Sequence, residues 1–267
     1  MKLFLDSLGV PPREIQKLAY WADTMRKMVA IRPDLQAKQN TLVVPEFPTV
    51  ELPKDAYSLQ DWAELGCDDP SFLATVDYLL SRGDVAVNAT TYYWSPANLK
   101  HSLIIPCYHQ DRLVGWTGRA VSKEVEPRYH KEVPSHFLFN SKFLYQPNRK
   151  YVFIVEGIID ALVIDGVAAL GSSLNARQIA WIAQSGKQPV VVADRDKRGL
   201  DLVNIALEHQ WPVATMYYPG NQWWAADVKD PADAVKRYGK LYTVQSIVSN
   251  LTLNKSQIGQ RVRYIIE

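Results

Sequence analysis

The sequence holds only two cysteines, Cys67 and Cys107, forty residues apart. That excludes a disulfide framework, and with it the small secreted scaffolds that depend on one. Cys107 and His109 lie close together, but a tetrahedral zinc site takes four ligands and no second pair follows, so no zinc is expected in this chain. No run approaches the ~20 apolar residues of a membrane helix. The opening Met1-Lys2-Leu3-Phe4-Leu5 reaches Asp6 too soon for the apolar stretch of a signal peptide. A cytoplasmic protein without membrane contact is the expectation. Internal repeats and low-complexity tracts are missing too, which excludes solenoids and disordered tails.

What is present is ordinary in bulk and uneven in detail. With 267 residues, 47% of them apolar and 22% charged, the chain can bury one large core or two smaller ones. The net charge of +2 hides a local excess, because residues 112–150 carry eight Lys or Arg against three Glu. Such a stretch can hold polyanions, although scattered solvated charges give the same count.

Residues 1–60 read as a helical segment followed by a linker. Ile15, Leu18, Ala19 and Ala22 recur near the helical period within 13–28. Prolines 45, 48 and 53 then impose an extended arm, since each removes a donor and biases its predecessor away from helix. Residues 61–150 read as a mixed α+β subdomain. Asp68-Asp69-Pro70 caps a helix over 71–81 that stops at Gly83, and apolar runs at 103–106 and 113–116 flank the polar tip His109-Gln110-Asp111-Arg112 as a hairpin does.

Residues 151–243 alternate short apolar runs with helix-length segments. Strands are expected at 151–155, 167–170, 189–193 and 213–217, with helices near 158–165, 175–185, 197–210 and 231–238. Strands separated by helices pair in parallel, with right-handed crossovers and helices on both faces. The fold class is therefore α/β within an α+β whole: a doubly wound parallel sheet, preceded by the mixed subdomain and followed by a short helical tail over 244–267.

Ligands of open α/β sheets bind at the carboxyl ends of the strands, and here those positions are acidic. The first run ends at Glu156-Gly157, with Asp160 one turn into the next helix; the third ends at Asp194-Arg195-Asp196; the stretch after the fourth leads through Asp227 to Lys229-Asp230-Pro231. In Asp194-Arg195-Asp196 an extended chain points both carboxylates to one side. Each acidic residue alone reads as a solvated helix cap. Together they repel one another and call for a hard divalent ion, Mg2+ or Mn2+.

In order and spacing, Val155-Glu156-Gly157-Ile158-Ile159-Asp160, Ala169-Leu170-Gly171-Ser172-Ser173, Asp194-Arg195-Asp196-Lys197-Arg198-Gly199 and Lys229-Asp230-Pro231 resemble the Toprim module shared by DnaG-type primases, topoisomerases and some nucleases. The stretch before it chooses among them. Tyr78-Leu79-Leu80-Ser81-Arg82-Gly83, Val114-Gly115-Trp116-Thr117-Gly118-Arg119, Pro127-Arg128-Tyr129 and Phe139-Asn140-Ser141-Lys142 are similar to the basic amino-terminal subdomain of DnaG-type primases.

The resemblance covers roughly residues 71–240. It implies a DNA primase core that joins ribonucleoside triphosphates into short RNA primers on a single-stranded DNA template. Glu156, Asp194, Asp196 and Asp230 are the implied catalytic and metal-binding residues. Arg119, Arg128, Tyr129, Lys142 and Lys197 are the implied contacts to nucleic acid and nucleotide, with Trp116 a weaker candidate for stacking. Two departures stand out. Pro127-Arg128-Tyr129 replaces the family's usual Pro-Lys-Tyr, and Asp230-Pro231-Ala232-Asp233 replaces Asp-Pro-Asp, so the last acidic residue is displaced by one position. A short chain of this kind implies a phage or mobile-element enzyme in a host cytoplasm, with a replicative helicase and a zinc-binding module acting in trans. Two other readings use the same residues: a Toprim-type metal-dependent nuclease, and a non-catalytic nucleic-acid-binding replisome subunit. A topoisomerase would need a gate domain for which this chain has no room.

Overall fold

Two sheets of opposite character organise the fold, and each follows from its sequence pattern. The computed structural model describes residues 44–266, apart from 98, 123–124, 172, 196–198 and 217–222. All of these belong to one compact unit, residues 43–267. The expected helix within 13–28 lies outside the described residues, as do Asp196 and Lys197.

The first sheet is antiparallel, in the order β1 (Tyr57–Ser58), β2 (Tyr93–Trp94), β3 (Ser102–His109), β4 (Arg112–Ala120), β5 (Tyr129–Glu132). Directly after β1 comes α1 (Leu59–Glu64), started by Ser58 in a capping box with Asp61. Then come α2 (Pro70–Leu80) and α3 (Asp84–Val87), between β1 and β2 in the chain. Asp69 caps α2 by accepting from the Ser71 amide at 2.8 Å, and Pro70 fills the first helical position, where no amide hydrogen is needed. The β3–β4 hairpin is longer than its apolar runs imply. His109 and Arg112 pair with each other, and the turn is only Gln110 and Asp111, both at positive φ, the conformation a two-residue hairpin loop demands. At Gly115 a Cβ would stand 2.4 Å from the Glu132 carbonyl oxygen, so glycine there is what lets β5 close on β4.

The second sheet has the order β10-β9-β8-β6-β7. Its strands β6 (Tyr151–Val155), β7 (Val167–Ala168), β8 (Gln188–Val192) and β9 (Val213–Ala214) run parallel. Helices α4 (Ile158–Ile164), α5 (Ala176–Gln184) and α6 (Gly199–Glu208) connect them. β6 and β8 are nearly continuous apolar runs because strands covered on both faces have no wet side. After β9 come α7 (Pro231–Tyr238), α8 (Lys240–Ser249), β10 (Leu251–Thr252) and α9 (Lys255–Ile266). β10 pairs antiparallel with β9, so the stretch expected to be a helical tail also supplies an edge strand. A two-residue strand such as β10 carries no alternation and is invisible to a periodicity argument.

The halves meet through α4, which is buried nearly all round by α7, α8 and the short α3 of the first half. Part of the proline-rich arm is packed as well. Phe47 is 3% exposed, its ring 5.0 Å from His109 and 5.8 Å from Trp181, bridging β3 and α5.

Candidate active site

Two of the acidic residues picked out in the sequence, Glu156 and Asp194, leave the second sheet at the carboxyl ends of its strands. Glu156 follows β6 directly and Asp194 stands two residues beyond β8. Asp230 caps α7, accepting from the Asp233 amide at 2.8 Å, with Pro231 at the first helical position. The loop after β8 is tied to the approach to α7 by the Arg195 amide, which donates to the Lys229 carbonyl at 2.9 Å, and by the Arg195 guanidinium on the Ala226 carbonyl.

Glu156, Asp160, Asp194 and Asp230 line one cleft of about 740 Å³. Its other wall belongs to the first half, where Arg82, Arg119, Arg128, Tyr129 and Lys131 line the same space. Arg119 and Tyr129 are register partners across β4 and β5, and the guanidinium lies 5.1 Å from the ring centroid. Lys131 donates to the Leu170 carbonyl just beyond β7, a link across the cleft from one sheet to the other.

Glycines fit the backbone around two of the carboxylates. A Cβ on Gly157 would meet Asp160 Oδ2 at 2.2 Å, and one on Gly199 would meet the Asp194 carbonyl oxygen at 2.8 Å. Neither needs a positive φ; the requirement is space.

The electrostatics of the cleft are strained in both signs. Asp160 is 6% exposed, and burial, then the charge of Asp230, pushes its carboxyl up to about 8. It accepts from the Ala232 amide at 2.9 Å and shares a hydrogen bond with Asp230. Burial chiefly also raises Asp230, against the opposing effect of the Asp233 amide. On the other wall burial lowers Arg119, with Arg82 and Arg128 adding repulsion, and burial lowers Lys131. Arg82 Nη1 stands 3.8 Å from Asp233 Oδ1, so the displaced acidic residue of the Asp-Pro-Ala-Asp stretch faces an arginine.

Among the described residues, no three His, Cys, Asp or Glu side chains are grouped so as to hold an ion unaided. The acidic side chains that line the cleft nonetheless offer carboxylate oxygens, which suit magnesium or manganese. Magnesium is commonly held by one or two carboxylates together with water and substrate phosphates, not by an all-protein cage. The cleft fits that mode.

Of the residues expected from the sequence, Glu156, Asp194, Asp230, Arg119, Arg128 and Tyr129 come together here. Lys142 does not. It is exposed on a 3-10 turn, Ser141–Leu144, with Nζ 5.4 Å from the Phe143 ring, outside the cleft. Trp116 is half-buried and alternates with Thr117 and Arg119, so strand geometry turns it to the opposite face of β4. Asp160, Arg82 and Lys131 are cleft residues that the sequence reading did not place among the site residues. Asp160 had a signal in its place one helical turn after Glu156, and Arg82 in its Arg-Gly pair; Lys131 had none beyond its charge.

No family model matches the chain. Two curated relatives are similar over about half of it. A DNA primase of Campylobacter jejuni subsp. jejuni serotype O:2 is 26% identical over 151 residues, 51% of this chain and 24% of that protein. A DNA primase of Legionella pneumophila is 23% identical over 156 residues, 53% of this chain and 27% of that protein. The matched stretch thus spans about a quarter of either relative's length. Among solved structures, a DnaG primase catalytic domain bound to single-stranded DNA superposes with a TM-score of 0.52 at 18% identity, covering 73% of this chain and 78% of that one. At that identity the likeness is one of fold.

Proposed function

We propose that this chain, which has the fold of a DnaG-type primase catalytic core, synthesises short RNA primers on single-stranded DNA by metal-dependent nucleotidyl transfer. One observation carries the reading: the acidic strand ends of the second sheet and the cationic, aromatic face of the first line the same cleft. Joining nucleotides calls for both walls. A triphosphate needs cations along its oxygens, and attack on its α-phosphorus needs the charge that develops there to be held. The two curated relatives are DNA primases, and the structural neighbour was solved with single-stranded DNA, which supports the same assignment.

Glu156, Asp194 and Asp230, with Asp196, would hold one or two magnesium or manganese ions. Such ions, when bound, supply Lewis-acid charge to the phosphates and lower the barrier to in-line attack by a 3′-hydroxyl. Arg82, Arg119 and Arg128 bind phosphate oxygens of nucleotide and template through charge-assisted hydrogen bonds. Tyr129, 43% exposed, offers its ring to a base of any identity. Burial raises the carboxyls of Asp160 and Asp230, and a proton shared between them would orient the Asp230 carboxylate. In the reaction a bond forms between the 3′-oxygen and the α-phosphorus, and pyrophosphate and a proton leave.

The test is a primer-synthesis assay with labelled ribonucleoside triphosphates, magnesium and mixed-sequence single-stranded DNA, with and without the cognate helicase. Short RNA products are expected. Absence of RNA in both arms, or cutting of labelled template in place of synthesis, overturns the proposal.

A further inference from the structure

Tyr78 lies behind the cleft wall without lining it, and two of the cleft's cations rest on it. The side chain is half-buried in the last turns of α2. Its ring centroid is 5.2 Å from the Arg82 guanidinium carbon and 5.4 Å from that of Arg119, both within reach of cation–π attraction. The Tyr78 hydroxyl also accepts from Arg82 Nε at 3.1 Å. Arg119 in turn stacks on Tyr129, so the order across the wall is Arg82, Tyr78, Arg119, Tyr129.

Two guanidiniums side by side repel, and carboxylates across the cleft offer each of them another partner. Arg82 already approaches Asp233 at 3.8 Å. Between the two guanidiniums lies the ring of Tyr78, whose negative face attracts both. The geometry points to Tyr78 as a positioning residue that fixes the spacing of Arg82 and Arg119, so that the pair receives the phosphates of a nucleoside triphosphate and not the carboxylates of the cleft. The inference rests on reading the cleft as a nucleotide site. It adds a residue that touches neither substrate nor reacting atoms and acts only through the two arginines.

The experiment measures ATP and inorganic tripolyphosphate binding to the full chain by titration calorimetry, and nucleotide KM against kcat in primer synthesis. Tyr78→Leu removes the ring and should weaken ATP binding roughly tenfold, raising KM more than it lowers kcat. Tyr78→Phe keeps the ring and loses only the hydrogen bond from the Arg82 guanidinium, so its ATP affinity should stand between wild type and the tenfold loss of Tyr78→Leu. In an Arg82→Gln/Arg119→Gln background, Tyr78→Leu should add nothing further. Tyr78→Met gives the same reading should the leucine variant not fold. An undiminished Tyr78→Leu effect in that background overturns the positioning role, because the loss would then be structural. Wild-type ATP binding by Tyr78→Leu, beside weakened binding by the arginine variants, overturns Tyr78 alone and leaves the cleft reading intact. If the arginine variants bind ATP and tripolyphosphate as wild type does, both the cleft reading and this inference fall.

Discussion

The carboxyl of Asp160, inside α4, shares a hydrogen bond with the carboxyl of Asp230 at the start of α7, seventy residues further along the chain. Two carboxyls so close cannot both ionise without cost, and burial with their mutual repulsion raises both, so that the pair holds a proton between them.

That pair makes stability depend on pH in a definite direction. The folded state raises Asp160 from 3.8 to about 8, so between those values it binds a proton that the unfolded chain releases. Unfolding free energy should therefore fall as pH rises through that window and level off above it. Asp160→Asn keeps a donor to Asp230 and has nothing to titrate. Denaturant unfolding from pH 5 to 9 in chelator should show a flatter profile for this variant than for wild type. Parallel profiles would remove the shared proton from the account.

Asp194→Ala should abolish dinucleotide synthesis on single-stranded template and leave folding and DNA binding in place. Its side chain belongs to the acidic wall, whereas template contacts come from the cationic one. A gel assay for the dinucleotide, run beside a DNA-binding titration, checks both halves. Undiminished synthesis would end the proposed mechanism.

Arg119→Met and Tyr129→Ala should weaken single-stranded DNA binding in different ways. Loss of a phosphate contact lowers the slope of log K against log salt by about 0.7 for a single strand. Loss of a stacking ring costs about 1–3 kcal/mol and leaves that slope unchanged, because no counterion is released. Fluorescence titrations at several salt concentrations separate them; identical slopes for Arg119→Met and wild type would exclude the phosphate contact.

Magnesium or manganese should raise the melting temperature of the wild-type chain, since an ion bound only by the folded state stabilises it by mass action. The shift should vanish in an Asp194→Ala/Asp230→Asn variant. A shift that survives both substitutions places the ion elsewhere.

Much of the second half was legible from the sequence. Short, β-branched and aromatic runs such as Tyr151–Val155 read as strands covered on both faces, and Gly157, Asp194 and Asp230 sit where such strands and helices begin or end. Lys142 and Trp116 were harder to place. Both lie in the right stretch with the right chemistry, but Lys142 falls on a 3-10 turn outside the cleft, and strand alternation turns Trp116 away from the Arg119 face. Arg82 was obscure for the opposite reason, being thirty-seven residues before Arg119 in the chain and brought beside it by packing on Tyr78.

By itself the sequence determined the kind of chemistry available: carboxylates at strand ends, a basic segment ahead of them, and a parallel sheet to hold the first. Local pattern suffices for that, because strand ends and helix caps are written within a few residues. Only the tertiary structure decided that the two halves face each other across one cleft, that Asp160 completes the acidic wall, and that Lys142 does not join the basic one. Those outcomes depend on the packing of α3 against α4 and α7 and on the register of β4 with β5. Contacts of that range are fixed by burial of whole elements, which no short stretch of residues encodes.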